Sequence, residues 1–328
     1  MKLLIISNNL DRAGFRQRID VHLDALQANG INCEVVKLPS SFWMRRKLFK
    51  KTAQFDGVLL HKKGLNFLDA MCLRRYASKI IYHFDDAIMY RDQNPDCYSA
   101  AHFKPWKRSV ESADMVIVSS SYLADHARKF NSHVKVLHTA VKIDDYKLNE
   151  SEKINDHKVR LVWIGSKSTL SYLAELKPVL EQIGTRFDNI ILRIIGDDFF
   201  DLQNMPVEKI KWEQKTRGIR LAECDIGLAP LPDNPFTQGK CSFKVLEYAA
   251  AGLAVVASPV GTNPDHIAEG KSGFLVKSPD SWVEKISTLI KDADMRKQMG
   301  QNARAIAENY DMAVIGKKFA QLIKEAIQ

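Results

Sequence analysis

Short apolar runs recur along this chain, separated by polar loops and by stretches whose apolar residues return at helical spacing. Lys2-Leu3-Leu4-Ile5-Ile6 reads as a buried strand. Ile19, Leu23 and Leu26 then trace a helix that Asn29-Gly30 stops. Further strands are expected at 31–38, 56–60, 79–82, 115–118 and 134–137. Residues 147–158 are nearly all polar, without an apolar period, and read as a linker. The pattern then restarts, with strands at 159–165, 190–196, 225–229, 254–257 and 273–276, and an amphipathic helix over 312–327. Strand–helix alternation of this kind predicts open parallel sheets with helices on both faces. The chain therefore reads as two α/β domains, 1–150 and 151–328, with the tail helix free to pack back on the first. Ligands of such sheets bind beyond the C-terminal strand ends, so two in tandem predict a cleft between domains lined by strand-end loops.

Composition narrows the class. The 328 residues are 45% apolar and 27% charged, a globular balance that excludes disorder, collagen and coiled coil. Tyr248 to Ala257, among the longest weakly polar runs, is far short of the roughly 20 residues a membrane span needs. Met1 leads straight into a strand-like run, so no secretory leader is expected. The five cysteines are scattered and include no Cys-x-x-Cys pair, which points to reduced thiols in the cytoplasm and no zinc site.

Charge is uneven: residues 1–150 carry 24 Lys and Arg against 16 Asp and Glu, while the remainder is nearly balanced. That excess predicts an anionic partner for the first half. The densest cluster, 42–51, interleaves Phe42, Trp43, Met44, Leu48 and Phe49 with Arg45, Arg46, Lys47, Lys50 and Lys51. It suits either an interfacial helix on anionic lipid or a solvated helix whose aromatics face the core. No nucleic-acid signature accompanies it, and nucleic acid is not expected as a partner.

The richest chemistry lies in 230–252, where a strand end, a turn-rich loop and a helix follow one another. Gly239 allows close backbone approach, and the N–H groups of the first helical turn, around Ser242 and Phe243, make an anion site. Lys240 and Lys244 are four apart, able to share a helix face. Two cations at a positive helix end suit a diphosphate, and Glu247, one turn on, suits the vicinal diol of a ribose. A solvated Lys–Glu pair is the plainer alternative.

This stretch, continuing as Leu253-Ala254-Val255-Val256-Ala257-Ser258-Pro259, resembles the donor-binding segment of retaining GT-B glycosyltransferases of family 4, in the bacterial subgroup with Gly-Lys-Cys-x-Phe-Lys. Glu247 matches the second Glu of the family's Glu-x7-Glu; Gly239 stands where the first, which contacts the donor sugar, is expected. Leu161 to Thr169 is similar to the loop opening the family's second domain, with Gly165, Ser166 and Thr169 as phosphate contacts or, for Ser166 and Thr169, helix caps. Gly196-Asp197 matches the turn near the base. Arg217 and Asp225 also stand in typical places, and Asp225 reads as structural. The loop 7–18 resembles the family's first strand-end loop, in which Gly14 turns the chain and Arg16 meets the donor phosphates; Arg18 is read as a surface residue. Asp85 and Asp86 leave a strand end together and either orient an acceptor hydroxyl or cap a helix.

The resemblance implies a GT-B fold of two Rossmann-like domains and a retaining transfer from a nucleotide-diphosphate sugar to a hydroxyl. The acceptor would be a glycan, lipopolysaccharide or lipid-linked precursor. Catalytic roles fall to Arg16, Asp85, Asp86 and Lys244, with no metal and no cofactor. A cytoplasmic protein, peripheral at the inner face of the membrane, is expected. The alternatives are a nucleotide-sugar epimerase or hydrolase of the same fold, and a non-catalytic nucleotide-sugar-binding protein. A serine hydrolase lacks its Gly-x-Ser-x-Gly elbow, and a NAD enzyme its Gly-x-Gly-x-x-G.

Overall fold

The computed structural model describes residues 1–146 and 156–328. The linker expected at 147–158 and the boundary expected between 150 and 151 lie, apart from 156–158, outside the described residues. Two compact units are present: Met1–Ala140 with Asn234–Cys241 and Met312–Gln328, and Val141–Asp233 with Ser242–Asp311.

In the first unit the apolar runs become β1 (Lys2–Ser7), β2 (Asn32–Lys37), β3 (Gly57–His61), β4 (Ile80–Phe84), β5 (Met115–Val118) and β6 (Val134–Val136). They pair in parallel in the order β2-β1-β3-β4-β5-β6. Parallel strands need crossovers, supplied by α1 (Ala13–Arg18), α2 (Leu23–Ala28), α3 (Phe42–Lys51), α4 (Phe67–Tyr76), α5 (Ala100–Ser112) and α6 (Ser121–Arg128). β1, β3 and β4 are buried throughout or nearly so, as sheets covered on both faces require. One core layer holds Leu4, Ile6, Val58, Leu60, Tyr82, Phe84 and Trp106.

The second unit repeats the design with β7 (Val159–Ile164), β8 (Ile190–Gly196), β9 (Val207–Lys211), β10 (Ile226–Ala229), β11 (Ala254–Ala257) and β12 (Gly273–Leu275), in the parallel order β12-β11-β10-β7-β8-β9. β9 has no counterpart among the expected strands. It is an edge, half exposed and carrying Glu208, Lys209 and Lys211, so the apolar run that marks a buried strand is missing. Its helices are α7 (Lys167–Ala174), α8 (Lys177–Gly184), α9 (Arg217–Ala222), α10 (Phe243–Ala250), α11 (Asn263–His266), α12 (Pro279–Lys291) and α13 (Ala293–Glu308). The tail, α14 (Met312–Ile327), runs where its amphipathic period places it and belongs to the first unit, burying Ile315, Phe319 and Ile323.

Two parallel α/β sheets in this order are the expected GT-B pattern. Among the described residues, no helix is long and apolar enough to cross a membrane.

Candidate functional site

In the first unit β3 and β4 are neighbours, so the residues that follow them emerge side by side. Lys62, just past β3, adopts the left-handed backbone at φ 55°, and its N–H donates to the His83 carbonyl (2.8 Å). That turn aims the ammonium between the two carboxylates after β4: Nζ lies 2.7 Å from Asp85 Oδ1 and 2.6 Å from Asp86 Oδ2. On the far side of Asp86, Lys240 Nζ is 3.6 Å from Oδ1 and stands 4.4 Å over the Phe236 ring. The carboxylates are driven apart. Burial pushes Asp85 upward against the pull of Lys62. Burial works the same way on Asp86, but Lys62 and Lys240 together hold it below the usual carboxylate range.

Arg18 is buried, contrary to the surface reading. Its guanidinium donates to the Leu137 carbonyl (2.8 Å), to Thr139 Oγ1 (2.8 Å) and to His83 Nε2 (3.2 Å). Arginine can only donate, so His83 Nε2 accepts and the ring proton sits on Nδ1, which donates to His61 Nδ1 at 3.0 Å. Both rings are neutral. Burial, then Lys62 and Arg18, lower His61 to about 3; burial and Arg18 take His83 well below its ordinary value. Arg16 is half-exposed and donates to the Asp11 carbonyl. Gly14 leaves room for Lys62, whose Nζ lies 3.1 Å from where a Cβ would stand.

Gly239 has a packing reason of its own. A Cβ there would fall 2.5 Å from Ala87 Cβ and 2.7 Å from the Ala87 nitrogen, so this segment closes on the Asp85-Asp86 loop only without a side chain. Asn234 sets the turn: its Oδ1 accepts from Thr237 N (2.9 Å) and its carbonyl from Gln238 N (2.9 Å). Lys240 follows in extended backbone, outside the helix, so it does not share a helix face with Lys244 as their spacing suggested.

In the second unit α10 starts at Phe243, after Ser242 in the left-handed region (φ 50°) with its Oγ buried and without a hydrogen-bond partner. Lys62 and Ser242 are two of the three non-glycine residues with positive φ among the described residues, and such strain gathers at functional sites. Gly252, at φ 74°, closes α10 as expected. Lys244 Nζ donates to Thr169 Oγ1 (3.3 Å) and lies 4.2 Å from the Trp163 ring centroid. Gly165 permits this, since a Cβ there would fall 2.7 Å from that Nζ. Glu247 is buried, with Oε1 accepting from Tyr146 (2.8 Å) and lying 3.1 Å from Arg217 Nε. Burial still pushes it upward, against Arg217 and the Tyr146 hydroxyl. Ser166 stands at the N-cap position of α7 but its hydroxyl pairs with that of Ser168 (3.0 Å), so neither it nor Thr169 caps the helix through its side chain. Gly196 ends β8, with exposed Asp197 beyond it. Asp225 is structural, accepting from the Arg160 nitrogen (2.8 Å).

The structure thus brings together Asp85, Asp86, Gly239 and Lys240 in one unit, and Gly165, Thr169 and Lys244 in the other, with Glu247 one turn further along α10. It adds Lys62, Tyr146, Trp163 and the role of Arg217, none of which has a partner at a recognisable sequence spacing. Among the described residues no three His, Cys, Asp or Glu side chains gather as a metal site.

Residues 240–306 match the family Glycosyl transferases group 1. The D-inositol 3-phosphate glycosyltransferase of Corynebacterium glutamicum is 34% identical over 84 residues, 25% of this chain and 20% of that protein. The chain thus covers about a fifth of the length of the first curated relatives it matches. Anabaena HepE, solved with UDP and glucose, superposes with a TM-score of 0.77 at 16% identity over 99% of this chain and 100% of that one. WaaG, a glycosyltransferase involved in lipopolysaccharide biosynthesis, gives 0.70 at 15% identity over 98% and 99%. The structural likeness speaks to the fold alone. The fold that the resemblance implies is the one observed, GT-B, and the match from Lys240 to Ile306 with group 1 glycosyl transferases agrees with the donor-segment likeness read from the sequence.

Two predictions follow from this geometry. Gly239→Glu, which restores the family's usual residue, is expected to destabilise the chain by about 1–3 kcal/mol through overpacking on Ala87, read as a melting temperature several degrees lower; an unchanged melt refutes that packing. His22 is also buried and lowered to about 3, so with His61 and His83 three rings stay neutral while the unfolded chain protonates. Their stabilising contribution is complete above the unfolded value near 6.5 and fades as pH drops below it, by up to about 1.4 kcal/mol per unit for each ring. Urea midpoints should hold above pH 7 and fall between 6.5 and 4; a flat profile there contradicts neutral burial.

Proposed function

We propose that this chain is a retaining, metal-independent glycosyltransferase moving a sugar from a nucleotide-diphosphate sugar to a hydroxyl of a glycan or lipid-linked acceptor. The observation that carries the reading is the start of α10, where Lys244 is held by Gly165, Thr169 and Trp163 and Glu247 lies buried one turn further on. A diphosphate at this helix end meets backbone N–H groups, the Lys244 ammonium and the Ser242 hydroxyl. Glu247 takes the ribose diol.

As the anomeric C–O bond breaks, negative charge collects on the departing diphosphate, and Lys244 answers it without reorganisation. The acceptor oxygen bonds to the anomeric carbon on the face the diphosphate leaves, and its proton passes to the leaving phosphate oxygen. Asp85 and Asp86 take the acceptor role that the resemblance implies. Ionised, partly exposed Asp86 accepts a hydrogen bond from the attacking hydroxyl, while Asp85 and Lys62 fix its position. HepE's UDP and glucose and WaaG's place in lipopolysaccharide biosynthesis support donor and acceptor class respectively. The free cysteines suit a reducing cytoplasm, and the positive first half suits the inner face of its membrane.

Among uridine, guanosine, adenosine, thymidine and cytidine diphosphates, one is expected to raise the melting temperature clearly; at 100 times its Kd the gain is about 2.7 kcal/mol. Glu247→Ala should weaken that shift and chelator should leave it intact. Lys244→Ala should lower kcat about 10²–10³-fold in a folded protein. A panel with no stabiliser defeats the donor reading, and a shift lost to chelator defeats the metal-free scheme.

A further inference from the structure

Most large apolar side chains of the first unit are buried, yet five of those left exposed sit on two helices. On α3 these are Trp43 (78% exposed) and Met44; on α4 they are Phe67 (62%), Leu68 and Met71 (55%). The two helices pack together, tied by the Arg45–Asp69 ion pair at 3.1 Å. Every strand pairing in this sheet is parallel, so α3 and α4 both run back against the strands. Their N-terminal turns therefore lie at the C-terminal edge of the sheet, the edge from which Lys62, Asp85 and Asp86 emerge. Trp43, Met44, Phe67 and Leu68 fall in those first turns, and Met71 opens the second turn of α4.

The surround is cationic. α3 contains Arg45, Arg46, Lys47, Lys50 and Lys51 and no acid, and Asp69, the one acid of α4, is buried against Arg45 and Asn66. Arg108 lies 6.0 Å over the Phe67 ring and Arg46 4.7 Å over Phe42. A shallow hollow beside the tip is lined by Met44, Lys47, Leu48, Lys50, Lys51 and Gln54, with Lys51 also bonded to Glu34. Apolar side chains of this size standing in water, ringed by cations, match the acyl boundary and phosphate headgroups of an anionic bilayer.

We propose that the paired tips of α3 and α4 dock the protein on an anionic phospholipid surface. Trp43, Met44, Phe67, Leu68 and Met71 enter the interface, while Lys47, Lys50 and Arg108 meet the headgroups. This deepens the membrane part of the proposed function and rests on it for purpose: the acceptor loop is turned toward the layer that holds a lipid-linked acceptor. The binding itself needs no transfer activity.

The test is co-sedimentation of the full chain with vesicles of phosphatidylcholine alone and of phosphatidylcholine mixed with phosphatidylglycerol. Binding is expected to the mixed vesicles only, weakening as salt rises. Trp43→Ser with Phe67→Ser and Met71→Ser should abolish it. Lys47→Gln and Lys50→Gln should each lower the partition constant about fivefold. The same variants should keep the wild-type melting temperature and nucleotide-diphosphate shift, so a loss of vesicle binding is not a loss of fold. No binding by the wild-type chain, or equal binding by the triple variant, overturns the proposal. So does a concentration-dependent dimer removed by the same substitutions without vesicle binding, which assigns the face to a second copy. Vesicle binding with no nucleotide shift sinks the transferase reading and leaves this surface standing.

Discussion

Adjacent carboxylates in a largely buried loop cannot both remain ionised without a cation between them. Lys62 is that cation, and much of the first unit's edge is arranged to place it. It gives up ordinary backbone geometry to reach Asp85 and Asp86 at once, Gly14 clears space for its ammonium, and β3 must run beside β4 for the reach to exist. Glu247 obeys the same rule in the second unit, where Arg217 and Tyr146 converge on one oxygen. A buried carboxylate stripped of such partners costs several kcal/mol, so each acid is tied to residues far from it in sequence.

That distance explains what the sequence conceals. Strands such as 2–7, 159–164 and 190–196 are legible because burial on both faces demands unbroken apolar runs, and α14 and the Gly252 stop follow from period and turn chemistry. β9 escapes because an edge strand keeps its charges. The glycine-lysine segment, Glu247 and the Asp85-Asp86 pair are visible as motifs. Their partners are not: Lys62 stands before the aspartates with a whole helix between, and Tyr146 precedes Glu247 by most of a unit. Arg18 misleads for the same reason. A lone arginine near a helix end reads as solvated until Thr139 and His83 supply its buried acceptors.

Gly239 shows how a departure from a family pattern acquires a physical cause. Taken as a motif, its glycine is a missing acid. Taken as packing, it is the condition for the 234–241 segment to lie against Ala87, which in turn brings Lys240 to Asp86. A glutamate there would add a third carboxylate near Asp85 and Asp86 as well as a clash, raising the carboxyl values of its neighbours. The absent acid and the present lysine are thus one arrangement.

The same arrangement separates the two aspartates. Asp85 is buried deeper and is ion-paired with Lys62, so burial prevails and its proton is held more tightly; Asp86 is shared between Lys62 and Lys240 and stays ionised. Pairs of acids pushed apart in this way take different tasks. An ionised, partly exposed carboxylate is the better acceptor for a substrate hydroxyl, and a buried one the better anchor for its lysine. Lys240 therefore fixes the charge of Asp86, a contact distinct from the shared helix face with Lys244 that their spacing suggests.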